Sequence, residues 1–376
     1  MPFEALPVPP AQGGTCFAAD YASARARFLA AAACAGARVD VFVNDVASAP
    51  DGGSLSTDVA VLGPAHADAA LLVVSGTHGP EGFVGSAAQV ALLQALAAGA
   101  AMPPVRIVLV HAINPYGFAH LSRTTEHNVD LNRNFIDWRA GAPANPAYVE
   151  LHEALCPSTW SDEVLAACDA ARLAWTASHG DDAFVDMTSR GQYSHPDGMN
   201  YGGRAPEWSH RTLEVIVRRH LSDVRRIALI DWHTALGERG QPFFLCFNEP
   251  GGAAWERACG WWGRDEIETR GGFGGAARPN YTGLLFHGVQ RFATHAEVTG
   301  AVIEFGTVGH DAARRALQAD RCLRFAAADI AQPLREQMRA QVLEAFSPPS
   351  PQWQRSVLGH AMAIQHAALG GLSAWR

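Results

Sequence analysis

The stretch Ala70 to Ala98 reads ALLVVSGTHGPEGFVGSAAQVALLQALAA. Its opening, Ala70 to Ser75, is a short apolar run that closes on a polar residue. A run with no polar face suits an inner strand of a sheet covered by helices on both sides. The longer run Phe83 to Ala98 reads as a helix. Between them lies a Gly/Pro-rich bend that carries His78 and Glu81 three residues apart. Strand, tight bend and helix in that order point to a layered α/β chain, and they place two metal-competent side chains at a strand end.

Three more short apolar runs end in polar residues: Val105 to His111, Arg226 to Asp231 and Ala301 to Glu304. Helical stretches alternate with them, at Asp20 to Ala35, Arg211 to Leu221 and His310 to Met338. The segment Val39 to Leu62 makes an edge of the same unit. This alternation predicts a three-layer α/β/α sandwich with a mixed, mostly parallel central sheet. Trp138 to Arg225 is an elaboration on that plan, helical or irregular as far as Gln192. Gln192 to Trp208 and Gly271 to Gly283, rich in Gly, Pro and aromatics, are the kind of segment that walls an active site. No internal repeat or low-complexity linker is visible, so residues 1–376 are expected to form one elaborated domain.

The 376 residues are 48% hydrophobic and 18% charged, enough apolar content for a large core. A net charge of -8 without a basic run argues against a general nucleic-acid binder. No stretch approaches the roughly 18 consecutive apolar residues of a membrane span. The opening residues lack the basic and apolar regions of a secretory signal. The seven cysteines, Cys16, Cys34, Cys156, Cys168, Cys246, Cys259 and Cys322, form no CxxC pair or disulfide framework. Buried thiols in a reducing cytoplasm are expected. Oligomeric state stays open; the tail Ser347 to Arg376, with Trp353 and Trp375, packs on the core or on a second subunit.

Ligands of open α/β sheets bind at the carboxyl ends of strands. Four such ends carry GTHGPEG, HAINPYGFAHLSRTTEHNVDLNRNF, DWHTALG and IEFGT. His78 and Glu81 on one turn can clamp a cation, and His233 can add a third ligand from another strand. Two imidazoles and a carboxylate, with the fourth position left to water, make a catalytic zinc arrangement. Each residue also has a structural reading. A lone HxxE is common, His233 alone suits a capped or core histidine, and Glu304 can pair with a buried arginine. The other histidines have no ligand spacing, His195 and His111 being the first exceptions to test.

Taken in order, His78-Gly79-Pro80-Glu81, Asn114-Pro115-Tyr116-Gly117, Arg123, Asp130-Leu131-Asn132-Arg133-Asn134-Phe135, Asp231-Trp232-His233-Thr234 and Glu304 resemble the pattern of the zinc metallocarboxypeptidase (carboxypeptidase A-like) superfamily. That superfamily includes the aspartoacylase and succinylglutamate desuccinylase group, and the match spans about residues 70 to 310. The resemblance implies one Zn2+ held by His78, Glu81 and His233, with Asp130 fixing the tautomer of His78. It implies that Glu304 is general base and then acid toward a zinc-activated water, and that Arg123 stabilises the oxyanion. Asn132 and Arg133 would hold a substrate carboxylate, for which a guanidinium fork is suited. Arg133 has a structural reading too, as a partner of an aspartate on its own loop. Tyr281 would close over the substrate, Tyr201 being a weaker rival.

The chain departs from secreted digestive relatives in lacking paired cysteines and in carrying the Trp138 to Arg225 elaboration. GTHGPEG, DWHT and IEFGT are closer to the deacylase forms, so the chain most resembles a bacterial branch of unassigned function with features of both. Two substrates are therefore expected in competition: a small peptide, cleaved at an amide bond next to a free carboxylate, or an N-acyl amino acid. A metal-free binding protein on the same fold is the third expectation.

Overall fold

The computed structural model describes residues 16–101, 103–267 and 278–375. The opening residues and positions 271–277 of the expected Gly271–Gly283 wall lie outside them.

Seven strands form one sheet in the order β1-β2-β4-β3-β5-β7-β6. They are β1 (Arg38–Ser48), β2 (Ser54–Leu62), β3 (Ala69–Val74), β4 (Arg106–His111), β5 (Arg226–Arg239), β6 (Pro242–Leu245) and β7 (Glu297–Gly306). The four inner strands, β4, β3, β5 and β7, run parallel, while β1, β2 and β6 are antiparallel additions at the two edges. The helices are α1 (Tyr21–Cys34), α2 (Gly82–Ala97), α3 (Pro115–His120), α4 (Pro146–Leu155), α5 (Asp162–His179), α6 (Asp181–Ser189) and α7 (Trp208–Leu221). They continue with α8 (Ala253–Trp262), α9 (Leu285–Phe292), α10 (His310–Phe325), α11 (Gln332–Phe346) and α12 (Pro351–Ala374).

The two-residue period of a strand sorts the inner runs into two cores. Leu71, Val73, Ile107, Leu109, Ile230 and Trp232 pack with α1, α2 and α12. Leu72, Val74, Val108, Val110, Ile227 and Leu229 pack with α7 and α9 on the opposite face. The sandwich is therefore three layers with a mixed sheet, parallel in the middle, as the alternation predicts. Each of these fully buried side chains contributes about 1.5–3 kcal/mol relative to an exposed one. α2 has no polar stripe because the sheet, α1 and α12 enclose it. The tail, as α12, packs on the core, with Trp353 buried and its indole N–H donating to the Gly306 carbonyl at 2.8 Å.

The structure departs from expectation in three ways. The single helix over His310–Met338 is two, α10 and α11, joined by a short 3-10 turn at Ala327–Asp329. Pro333 lies in the first turn of α11, where its missing N–H costs nothing, whereas inside a longer helix it would clash. β5 and β7 run past their apolar cores, because the polar residues that end each run still belong to the ladder, pairing His233 with Glu304. β6 is an additional edge strand, pairing Phe243 with Glu304 and Leu245 with Val302.

Candidate metal centre

The bend after β3 brings the first two functional groups together. His78 Nδ1 lies 2.9 Å from Glu81 Oε1, both side chains being buried. Gly79 explains why the bend is glycine-rich: a Cβ there would stand 2.0 Å from the carbonyl group of Gly117. The bend thus packs backbone against backbone on α3, which Asn114 caps by accepting from Gly117 N–H at 2.9 Å.

β5 delivers the third group. His233 Nδ1 lies 3.0 Å from Glu81 Oε2, and Thr234 N–H donates to the same oxygen at 3.0 Å. Ligand atoms of His78, Glu81 and His233 all fall within 4.8 Å of one another. The outer nitrogens are occupied too. His78 Nε2 faces Asp130 Oδ1 at 3.0 Å, and His233 Nε2 faces Asp231 Oδ2 at 2.9 Å. Both rings therefore have carboxylate oxygens at both nitrogens. A cation in place of the inner proton would leave each ring its Nε2–H for the outer carboxylate and turn Nδ1 toward the ion. Carboxylate partners on Nε2 orient the Nδ1 lone pairs inward, as around histidine-bound metals. The donor set of two imidazoles and one carboxylate fits Zn2+.

Asp130 caps the short 3-10 turn Leu131–Arg133 by accepting from Asn132 N–H at 3.0 Å. Its other oxygen receives Arg123 Nε and Nη2 at 3.2 and 3.1 Å, while Arg123 Nη1 reaches Glu81 Oε1 at 3.2 Å. Burial raises the Asp130 carboxyl, but Arg123, Arg133 and His78 outweigh it and hold the group well below the usual carboxylate range. Burial likewise lowers Arg123, and Asp130 and Glu81 reverse this, leaving it raised. Burial raises Glu81, yet the two histidines bring it below its ordinary value. His233 is raised well above its usual value by Asp231 and Glu81 against the opposing effect of burial.

Glu304, beside His233 on β7, behaves differently. Burial and then the Glu81 charge push its carboxyl up to about 8, with His233, the Leu236 N–H and Arg123 pulling the other way. A carboxyl that can be protonated near neutrality thus stands next to the candidate metal ligands.

His78, Arg123, His233 and Glu304 line a cavity of about 1070 Å³ together with Asn132, Arg133 and Tyr281. Arg133 donates from Nε to the Ser189 carbonyl at 2.8 Å and from Nη1 to the Asn132 carbonyl at 2.7 Å. Its guanidinium carbon sits 5.2 Å from the centre of the Tyr281 ring. Asn132 Oδ1 accepts from Leu285 N–H at 2.7 Å, which ties the turn to the start of α9. Leu245, Phe247, Leu284 and Val302 form an apolar wall, and α6 contributes the wall on the elaboration side.

Every residue expected at the site thus lies on one cavity or in direct contact with it. Tyr201 does not: its carbonyl accepts Asp130 N–H at 2.7 Å, and its ring is buried away from the cavity. His111 is buried against Ser86 and Phe28, and His195 stacks on His152 at 4.1 Å. Asp231 is the residue that sequence reasoning left without a role. Its signal was present in DWHT, since residues two apart on a strand share a face. Thr77 Oγ1 donates to Asp231 Oδ1 at 2.8 Å, joining the bend of the first ligand to the strand of the third.

A family model described as "Protein of unknown function (DUF2817)" matches residues 17–360. No curated protein sequence matches the chain. Among solved structures the chain is similar to thrombin activatable fibrinolysis inhibitor (TAFI), at 10% identity and a TM-score of 0.47, over 94% of this chain and 74% of that one. It is similar to a succinylglutamate desuccinylase from Chromobacterium violaceum, at 16% identity and a TM-score of 0.37, covering 79% and 72%. A metallo-carboxypeptidase from Pseudomonas aeruginosa is similar at 15% identity and a TM-score of 0.38, covering 90% and 68%.

Proposed function

The chain belongs to the DUF2817 family, and we propose that it is a zinc-dependent hydrolase of the metallocarboxypeptidase type, cleaving an amide bond next to a free carboxylate. The observation that carries this reading is the convergence of two imidazole Nδ1 atoms on the two oxygens of one buried carboxylate, in a cavity that also holds Glu304 and two arginines.

His78, Glu81 and His233 would hold the ion. Zinc bound there supplies Lewis-acid polarisation of water and of the scissile carbonyl. Glu304, beside these ligands, would take a proton from water and return it to the leaving amine. Arg123 keeps further N–H groups beyond those bonded to Asp130 and Glu81, and these face the charge that develops on the carbonyl oxygen. Arg133 and the Asn132 amide hold the substrate carboxylate, and Tyr281 covers it. The cavity of about 1070 Å³ lies at the upper end of the ~300–1,000 Å³ of ordinary small-molecule sites and has room for a short peptide.

The test is zinc analysis of reconstituted protein together with a substrate panel. One zinc per chain is expected, with hydrolysis of short peptides that have a free terminal carboxylate and little of their amidated forms. Activity confined to N-acetyl or N-succinyl amino acids would move the assignment to the deacylase reading. Only trace zinc after reconstitution would favour a metal-free binding protein.

A further inference from the structure

We propose that Asp186 is a positioning residue for this site: through it the last turn of α6 holds the Tyr281 segment and the Arg133 guanidinium in one arrangement. The proposal rests on the hydrolase reading for its kinetic consequences and on geometry alone for the tether itself.

A helix ends with four carbonyls that lack intrahelical partners. At the end of α6 these carbonyls are claimed by side chains from four separate segments. Asn145 Nδ2 donates to the Met187 carbonyl at 2.9 Å, and Asn200 Nδ2 donates to Thr188. Arg133 Nε donates to Ser189 at 2.8 Å, and Thr282 Oγ1 donates to Arg190 at 2.6 Å. The partial negative charge of a helix C-terminus favours the guanidinium among them. Only Met187 of α6 is fully buried, so polar contacts more than apolar packing set where this helix lies.

Asp186 completes the tether. Its Oδ1 accepts from Asn280 N–H at 2.7 Å and from Asn280 Nδ2 at 3.0 Å. Its Oδ2 pairs with Arg190 Nη2 at 2.6 Å, fixing the residue whose carbonyl receives Thr282. Tyr281 is thereby held from both sides, by Asn280 on Asp186 and by Thr282 on Arg190. Just beyond, Phe135 N–H donates to the Gly283 carbonyl at 3.0 Å, and Gly283 has φ +69 with no room for a Cβ against the Arg133 carbonyl. The helix end, the carboxylate clamp and the tyrosine therefore move as one unit. Asp186 touches no reacting atom and lies partly exposed, so its removal leaves the cores intact.

The experiment compares Asp186→Ala and Asp186→Asn with the parent, zinc-loaded chain. Amide hydrogen exchange at Asn280 and Thr282 should be about tenfold faster in Asp186→Ala, the scale of one to two lost hydrogen bonds. Asp186→Asn keeps an acceptor oxygen and should recover much of that protection. KM for free-carboxylate peptides should rise about five- to tenfold in Asp186→Ala, with kcat within about twofold. Unchanged exchange in Asp186→Ala overturns the tether, whatever the activity. Faster exchange with unchanged KM overturns the positioning role. A parent chain that turns over no member of the panel counts against the hydrolase reading instead, and the exchange result then decides the tether by itself.

Discussion

Glu81 and Glu304 are both buried carboxyls a few ångströms from the same imidazoles, and their surroundings push them in opposite directions. Glu81 meets two histidine nitrogens, the Thr234 N–H and a guanidinium at most 3.2 Å away, and it stays ionised. Glu304 has one weak backbone donor, Leu236 N–H at 3.4 Å, and is pushed up to about 8. This asymmetry supports the proposed division of labour, Glu81 toward a cation and Glu304 toward proton transfer. Glu304→Gln should keep one zinc per chain and lower kcat by about 10²–10⁴-fold. Asp231→Asn should do the reverse, weakening zinc binding by about 10–100-fold in chelator competition while retaining most turnover at saturating zinc. Loss of zinc in Glu304→Gln would make that residue a ligand. The candidate ligands could be picked out because HxxE is a local pattern and His233 follows an apolar run at a strand end; the contrast between the two glutamates could not, because it depends on donors from distant segments.

At the level of elements, the site is built where β3, β4, β5 and β7 end, and the strongest constraint is the backbone contact between the 76–82 bend and α3. Gly79→Ala must displace one of them, since the added carbon meets main-chain atoms at 2.0 Å. A loss of about 1–3 kcal/mol in urea unfolding is expected, with weaker zinc binding because His78 and Glu81 flank that position. Unchanged stability would mean that the bend is free to shift. The glycines could be read as a bend, but not as a seat for α3, which comes from another part of the chain. The split between α10 and α11 was readable from Pro333. β6 was not, since a short edge strand has no periodicity of its own.

Across the whole molecule, buried histidines outside the site contribute to the acid limb of stability. Burial, with a minor part from Arg25, pushes His111 down to about 3, and burial pushes His210 down to about 4. Unfolded, both take up a proton near 6.5, whereas the folded protein holds them neutral. Their contribution is therefore complete above about pH 6.5 and is lost as pH falls toward those lower values, by at most about 1.4 kcal/mol per pH unit for each ring. His111→Gln should flatten the fall of the urea midpoint between pH 6.5 and 4, with chelator present in both proteins; an identical slope would show that His111 titrates normally. The order of apolar runs and their polar ends was enough to establish the layered α/β plan and the metal-competent residues, because burial and ligand chemistry act on local patterns. Folding alone decided that Thr77 ties the first bend to Asp231, that Glu304 holds a proton more readily than Glu81, and that α6 lines the cavity beside Arg133. Those outcomes depend on contacts between residues more than 50 positions apart, which a sequence encodes but does not display.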